Sequence, residues 1–299
     1  MHRTPAGWRF PHARTACALL TAIAATGCTQ HSTQYGAGAA SPRSTAAGAA
    51  TVLPASPVRD VRPSAPLSAA ERRWVDSTLA SLSLRERVGQ MVMVWVLGDF
   101  TNDDSPSFQE VRRWITEDKV GGILMSLGSP IEVAAKLNAM QALATVPLIV
   151  GSDVEPGLGR LEGGVFTPGL MQGGSATVLP TNMAIGATGD ERLAYEAGRI
   201  TGIESRAIGI HVAFAPTVDV NNNPANPVIN TRSFGEDPEQ VSRFSAAFVR
   251  GVQEEGVVAT VKHFPGHGDT DVDSHNALPV VRSDRERLKH VELVPFRGA

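Results

Sequence analysis

Cysteine is almost absent from this sequence: there are two in 299 residues, Cys17 and Cys28, both near the N-terminus. The rest of the chain has no thiol with which to build a zinc ribbon, a disulfide framework or a cysteine nucleophile. A basic excess is missing as well. The formal charge is -3, and without the three arginines of residues 1–27, a stretch that holds no acid, the chain carries 24 basic against 30 acidic side chains. A nucleic-acid partner held by a basic field is not expected from that balance. Neither a Gly-x-Gly-x-x-Gly turn nor a Gly-Lys-Ser/Thr loop follows any apolar run, so dinucleotide and P-loop readings lose their main support. What is present is a chain 42% hydrophobic and 19% charged, the composition of a soluble globular protein. Its length suits two domains of roughly 150 residues or one α/β barrel of about 250.

Residues 1–28 begin with Arg3, Arg9 and Arg14, continue into the apolar run Ala16 to Ala25 and end at Thr26-Gly27-Cys28. That is the layout of a secretory signal, and its apolar run is short of the roughly 20 residues a membrane span needs. It resembles a bacterial lipoprotein signal, with Ala25 where Leu is usual, which implies lipidation of Cys28. Residues 29–66 are dominated by Ala, Gly, Ser, Thr and Pro, a composition unable to bury enough apolar surface to offset its ordering entropy, and read as a tether. The expected location is outside the cytoplasm, on a lipid anchor facing the periplasm or the cell exterior. The membrane is met only through that anchor.

Folding is expected from about residue 67. Ser68-Ala69-Ala70-Glu71 and Ser83-Leu84-Arg85-Glu86 are capping boxes that satisfy the free amides of a first helical turn. Val92 to Leu97 is a continuous apolar run of strand length, the pattern of a parallel strand covered by helices. The alternation repeats: a helix near 107–118, a strand Val120 to Met125, a helix near 131–143, a strand Pro147 to Val150, a helix over 190–208 and a strand Val212 to Pro216. Asp237-Pro238 then opens a helix that ends near Glu255, the strand Val257 to Val261 follows, and Ser283-Asp284-Arg285-Glu286 opens a last helix. Five strand–helix units fit either an open doubly wound sheet or part of a (β/α)8 barrel.

Polar residues collect where strands end: Ser152, Asp153 and Glu155 after the third, Asp219 and Asn221 after the fourth, Lys262 and His263 after the fifth. In parallel α/β folds those ends form the active face. The densest segment, Lys262 to His275, holds three of the eight histidines and three aspartates in a Gly- and Pro-rich loop. Two chemistries fit it. His263, His267, His275 and the aspartates offer nitrogen and oxygen donors for a divalent metal. Alternatively, Asp273-Ser274-His275 supplies a histidine whose tautomer and charged form a carboxylate two residues away would fix, as acid/base catalysis needs.

Lys262-His263-Phe264-Pro265-Gly266-His267-Gly268-Asp269-Thr270, with Asp273-Ser274-His275 and Leu278-Pro279, resembles the signature of the family 3 glycoside hydrolases, in their β-N-acetylhexosaminidase branch. Val88-Gly89-Gln90-Met91, Gly121-Gly122-Ile123, Phe214 to Val220 and Asn230 to Pro238 extend the resemblance from about residue 84 to the end. It implies a (β/α)8 TIM-type barrel, of which about five units are present. It also implies retaining removal of terminal β-linked N-acetylglucosamine, from peptidoglycan fragments (muropeptides) or chitooligosaccharides, with no cofactor or metal.

On the same resemblance His275 is the general acid/base and Asp273 its partner, in place of the usual two carboxylates. Asp153, Arg160, Arg232, Lys262 and His263 correspond to sugar-binding positions. Arg160 is matched by proximity, because Asp153-Val154-Glu155-Pro156-Gly157-Leu158-Gly159-Arg160 departs from the family's Asp-x-Glu-Gly-Gly-Arg. Asp219 and His267 are further positions suited to bracing the loops. The family's nucleophilic aspartate lies on a later strand, so residues 1–299 are expected to be a fragment or truncated product, poorly soluble and inactive alone. Readings that stay open are a non-catalytic sugar-binding lipoprotein, a β-glucosidase of the same family, phosphorolysis in place of hydrolysis, and a metal-dependent hydrolase.

Overall fold

The computed structural model describes residues 66–126, 128–159 and 176–299. The signal, Cys28, nearly all of the tether and Arg160 lie outside the described residues. Both expected capping boxes form. Ser68 Oγ accepts from Glu71 N at 3.2 Å while the Glu71 carboxylate accepts from Ser68 N at 2.7 Å, opening α1 (Ala69–Ser81). Ser83 and Glu86 repeat this for α2 (Leu84–Gly89). A third box, Ser129 with Glu132, starts α4 (Pro130–Leu143) with proline in the first turn, where its missing N–H costs nothing.

The remaining elements follow the expected alternation: β1 (Met93–Leu97), α3 (Pro106–Thr116), β2 (Gly122–Ser126), β3 (Ile149–Ser152), α5 (Asn182–Gly186), α6 (Glu191–Ala207), β4 (Val212–Ala213), α7 (Pro238–Glu254), β5 (Val258–Ala259), α8 (Arg285–His290) and α9 (Val294–Gly298). Several boundaries differ from the sequence expectation: β2 starts at Gly122 rather than Val120, and β5 is Val258–Ala259 rather than Val257 to Val261. β3 sits two residues later than Pro147 to Val150. β4 stops at Ala213, ahead of Pro216, which has no N–H for the ladder; pairing resumes only as a parallel bridge between Thr217 and Lys262. The single last helix is two short ones, because Pro295 sits in the first turn of α9 and cannot donate back into α8.

The five strands are parallel in the order β1-β2-β3-β4-β5. This order decides between the two architectures. A doubly wound sheet reverses direction at a switch point, whereas an uninterrupted order with right-handed crossovers keeps every helix on one face, as in a barrel wall. The fold is therefore the α/β barrel type, present here as a five-stranded wall. The helix-covered face is sealed: Ile123, Met125 and Val150 are fully buried against helices. The opposite face aligns Trp95, Leu124, Gly151, Val212 and Val258 in register, and Trp95 and Val258 on it are exposed. The strand runs are thus apolar on both faces while helices cover only one.

α6 and α7 cross closely. A Cβ on Gly198 would stand 2.2 Å from Phe248 O and one on Gly251 2.2 Å from Tyr195 O, so only glycine admits this approach. The α7 residues Val241, Phe244, Phe248 and Val252 are buried at helical spacing and dock it against the core. Among the described residues no helix is long and apolar enough to cross a membrane.

Candidate active site

All strand carboxyl ends of a parallel sheet lie on one side, and there the residues following β3, β4 and β5 converge. Glu155 is the hub. It is 2% exposed, and its Oε1 accepts from Arg232 Nε at 2.8 Å and its Oε2 from Arg232 Nη2 at 3.1 Å. Thr217 Oγ1 donates to Oε2 at 2.6 Å, and Lys262 Nζ lies 3.0 Å from the same atom. Burial pushes the Glu155 carboxyl pKa up, but the Arg232 hydrogen bonds and the Lys262 charge outweigh it and hold it at about 2. Burial likewise disfavours the Arg232 cation, while Glu155 first, then Asp153 and Asp219, take its pKa above the ordinary value.

Lys262 Nζ also reaches Asp153 Oδ1 at 2.6 Å. Asp153 keeps 53% of its side chain exposed, so it is the carboxylate of the group that faces outward. Asp219 is 1% exposed and committed inward. It accepts from His267 N at 2.6 Å, His263 N at 3.2 Å and His263 Nδ1 at 2.7 Å. This network assigns the His263 proton to Nδ1 and leaves Nε2 as acceptor, 3.4 Å from Arg232 Nη2. His267 stands edge-on to His263, ring centroids 5.9 Å apart, with its Nδ1 hydrogen-bonded to Thr270 Oγ1.

Further along the loop, Asp273 Oδ1 accepts from His275 N at 2.9 Å and from His275 Nδ1 at 2.7 Å. These two hydrogen bonds, the backbone one foremost, hold the Asp273 carboxyl below its ordinary range. Among the described residues His275 Nε2 has no hydrogen-bond partner, and the side chain is 81% exposed. Among the described residues no hydrogen bond or ion pair joins this couple to the Glu155 group.

Of the residues expected from sequence, Asp153, Arg232, Lys262 and His263 are brought together. Asp273 and His275 form their own pair on the rim, and Arg160 lies outside the described residues. Asp219 and His267 brace the loop stem. Glu155, named from the sequence only as a strand-end polar residue, and Thr217, given no role there, complete the group. The one available signal was Glu155 lying two residues from Asp153 just after a strand. The three histidines do not meet on a common point: each turns its Nδ1 to a different partner, Asp219, Thr270 or Asp273. Among the described residues no three His, Cys, Asp or Glu side chains converge as a metal-ligand set.

Residues 83–299 match the family model of the glycosyl hydrolase family 3 N terminal domain. Beta-hexosaminidase A of Pseudoalteromonas piscicida is 37% identical over 199 residues, 62% of this chain and 32% of that protein. Beta-hexosaminidase LpqI of Mycobacterium tuberculosis is 34% identical over 256 residues, 85% of this chain and 60% of that protein. The structure of a glycoside hydrolase family 3 beta-N-acetylglucosaminidase from Paenibacillus sp. superposes with a TM-score of 0.62 at 48% identity, covering 73% of this chain and 40% of that one. The chain thus spans between about a third and three-fifths of the length of these relatives.

Proposed function

The chain belongs to glycosyl hydrolase family 3, and from that premise we propose that the protein removes terminal β-linked N-acetylglucosamine, from peptidoglycan fragments or chitooligosaccharides, by a retaining mechanism. The observation that carries this reading is the convergence of Asp153, Lys262, Arg232 and His263 on Glu155 at the strand ends, with the Asp273–His275 pair on the loop that leaves them. Relatives named beta-hexosaminidase and beta-N-acetylglucosaminidase support the sugar class.

The division of labour follows from commitment and exposure. Asp153, outward-facing, accepts from sugar hydroxyls, Lys262 and Arg232 donate to others, and His263 Nε2 serves as a further acceptor, fixing the ring without a cofactor. Glu155 holds the cations in place. A carboxylate nucleophile forms a bond to the anomeric carbon as His275, its Nδ1–H tied to Asp273, protonates the departing oxygen through Nε2; His275 then deprotonates the water that displaces that carboxylate. Glu155 and Asp219 are excluded as nucleophiles, since both are buried and their oxygens are occupied by cations or by backbone and imidazole donors. We place the protein outside the cytoplasm, anchored through lipidated Cys28.

The test is hydrolysis of aryl β-N-acetylglucosaminide and aryl β-glucoside by the full-length gene product, with the anomer released followed by NMR. Selective cleavage of the N-acetyl sugar with the β-anomer formed first is expected, and Lys262→Met should raise KM about tenfold or more. Preference for the glucoside overturns the sugar assignment. Binding of N-acetylglucosamine without cleavage of either substrate overturns the enzymatic one. Cys28→Ser should move the protein from the membrane fraction to the soluble one; unchanged membrane association contradicts the anchor.

A further inference from the structure

We propose that Asn226 is a positioning residue that fixes the acid/base loop relative to the arginine of the sugar site, a proposal that rests on the functional reading above. Asn226 is 1% exposed, and its amide is engaged at both ends. Oδ1 accepts from Val228 N and Ile229 N, each at 2.8 Å. Nδ2 donates to His267 O at 2.7 Å and Gly268 O at 3.2 Å. Two N–H groups on one side and two carbonyls on the other admit only this orientation of the amide.

Each end serves a different piece of the site. The oxygen end holds the turn that ends in Arg232, where Arg232 N donates to Ile229 O at 2.8 Å and Arg232 Nη1 to Val228 O at 3.4 Å. The nitrogen end holds the stem of the loop that carries Asp273 and His275. That stem is pressed against the chain leaving β4, since a Cβ on Gly268 would stand 1.8 Å from Val220 O. Asn223 Nδ2 adds bonds to Asp269 O at 3.3 Å and Thr270 O at 3.4 Å. Past Thr270, among the described residues, the Asp273–His275 pair has no bond to the sugar-site group. The stem is therefore the fixed point from which His275 is aimed, and one buried amide ties it to Arg232.

Asn226→Asp tests this in the full-length protein. The variant keeps the size and the Oδ1 acceptor of the amide but turns a carboxylate oxygen toward His267 O and Gly268 O. For a phenyl β-N-acetylglucosaminide, whose leaving group needs a proton, kcat/KM should fall about 10- to 100-fold. For the dinitrophenyl analogue, which leaves unprotonated, the fall should stay under about threefold, and inhibition by free N-acetylglucosamine should be unchanged. Asn223→Ala loosens the same stem without a buried charge and should give the same selective loss at smaller size, which keeps the test decisive should Asn226→Asp not fold. Equal losses on both substrates, or no loss on either, overturn the proposal. A wild type that cleaves neither substrate removes the functional reading and this proposal together. Selective loss in His275→Ala without it in the asparagine variants overturns this proposal alone.

Discussion

Glu155 sits buried between two cations, and that arrangement makes its own ionisation part of the protein's stability. Its carboxyl titrates at about 2 in the folded chain against an ordinary 4.5, so its stabilising contribution is complete above pH 4.5 and is lost as pH falls toward 2. The difference corresponds to about 3 kcal/mol. Urea denaturation of the wild type between pH 6 and pH 2.5, on the order of those values, should follow that loss, while Glu155→Gln should lack this part of the pH dependence. At neutral pH Glu155→Gln should cost about 3 kcal/mol, because it leaves Arg232 and Lys262 without their shared carboxylate. Identical pH profiles for the two proteins would contradict the assignment of Glu155 as hub. Asp153, Lys262 and His263 are legible in the sequence because each directly follows an apolar strand or lies in the histidine-rich loop. Glu155 is legible as a strand-end acid but not as the hub, since its partners Thr217 and Arg232 lie 62 and 77 residues away and only the fold places them.

Helix starts are the most legible elements, because the capping side chains of α1, α2 and α7 act within three residues of sequence. The same local logic at α4 gives a prediction: Ser129→Ala removes the hydroxyl that accepts from Glu132 N and should lower stability by about 1 kcal/mol in chemical denaturation. Strand lengths are less legible. β4 and β5 shrink to two residues each because Pro216 interrupts the ladder, while the apolar run around it continues unbroken. Close approach of α6 and α7 leaves no pattern beyond isolated glycines. Gly251→Ala places a methyl against Tyr195 O and should cost about 1–3 kcal/mol by the same measurement. No change would mean that the two helices separate freely.

At the scale of the whole molecule, alternating strands and helices give the α/β class but not the choice between sheet and barrel, since both place a helix after each strand. The uninterrupted order of five parallel strands makes that choice, and family membership agrees with it. The same order gathers the Glu155 group and the loop of the proposed acid/base pair at one end of the sheet, from segments between Asp153 and His275. We propose that His275 moves the proton while the group around Glu155 holds the sugar. The most direct test is kcat/KM of the full-length wild type and His275→Ala on phenyl and dinitrophenyl β-N-acetylglucosaminides. A loss of about 100-fold or more is expected on the phenyl substrate and little on the dinitrophenyl one. A variant that loses equally on both, or on neither, contradicts this proposal.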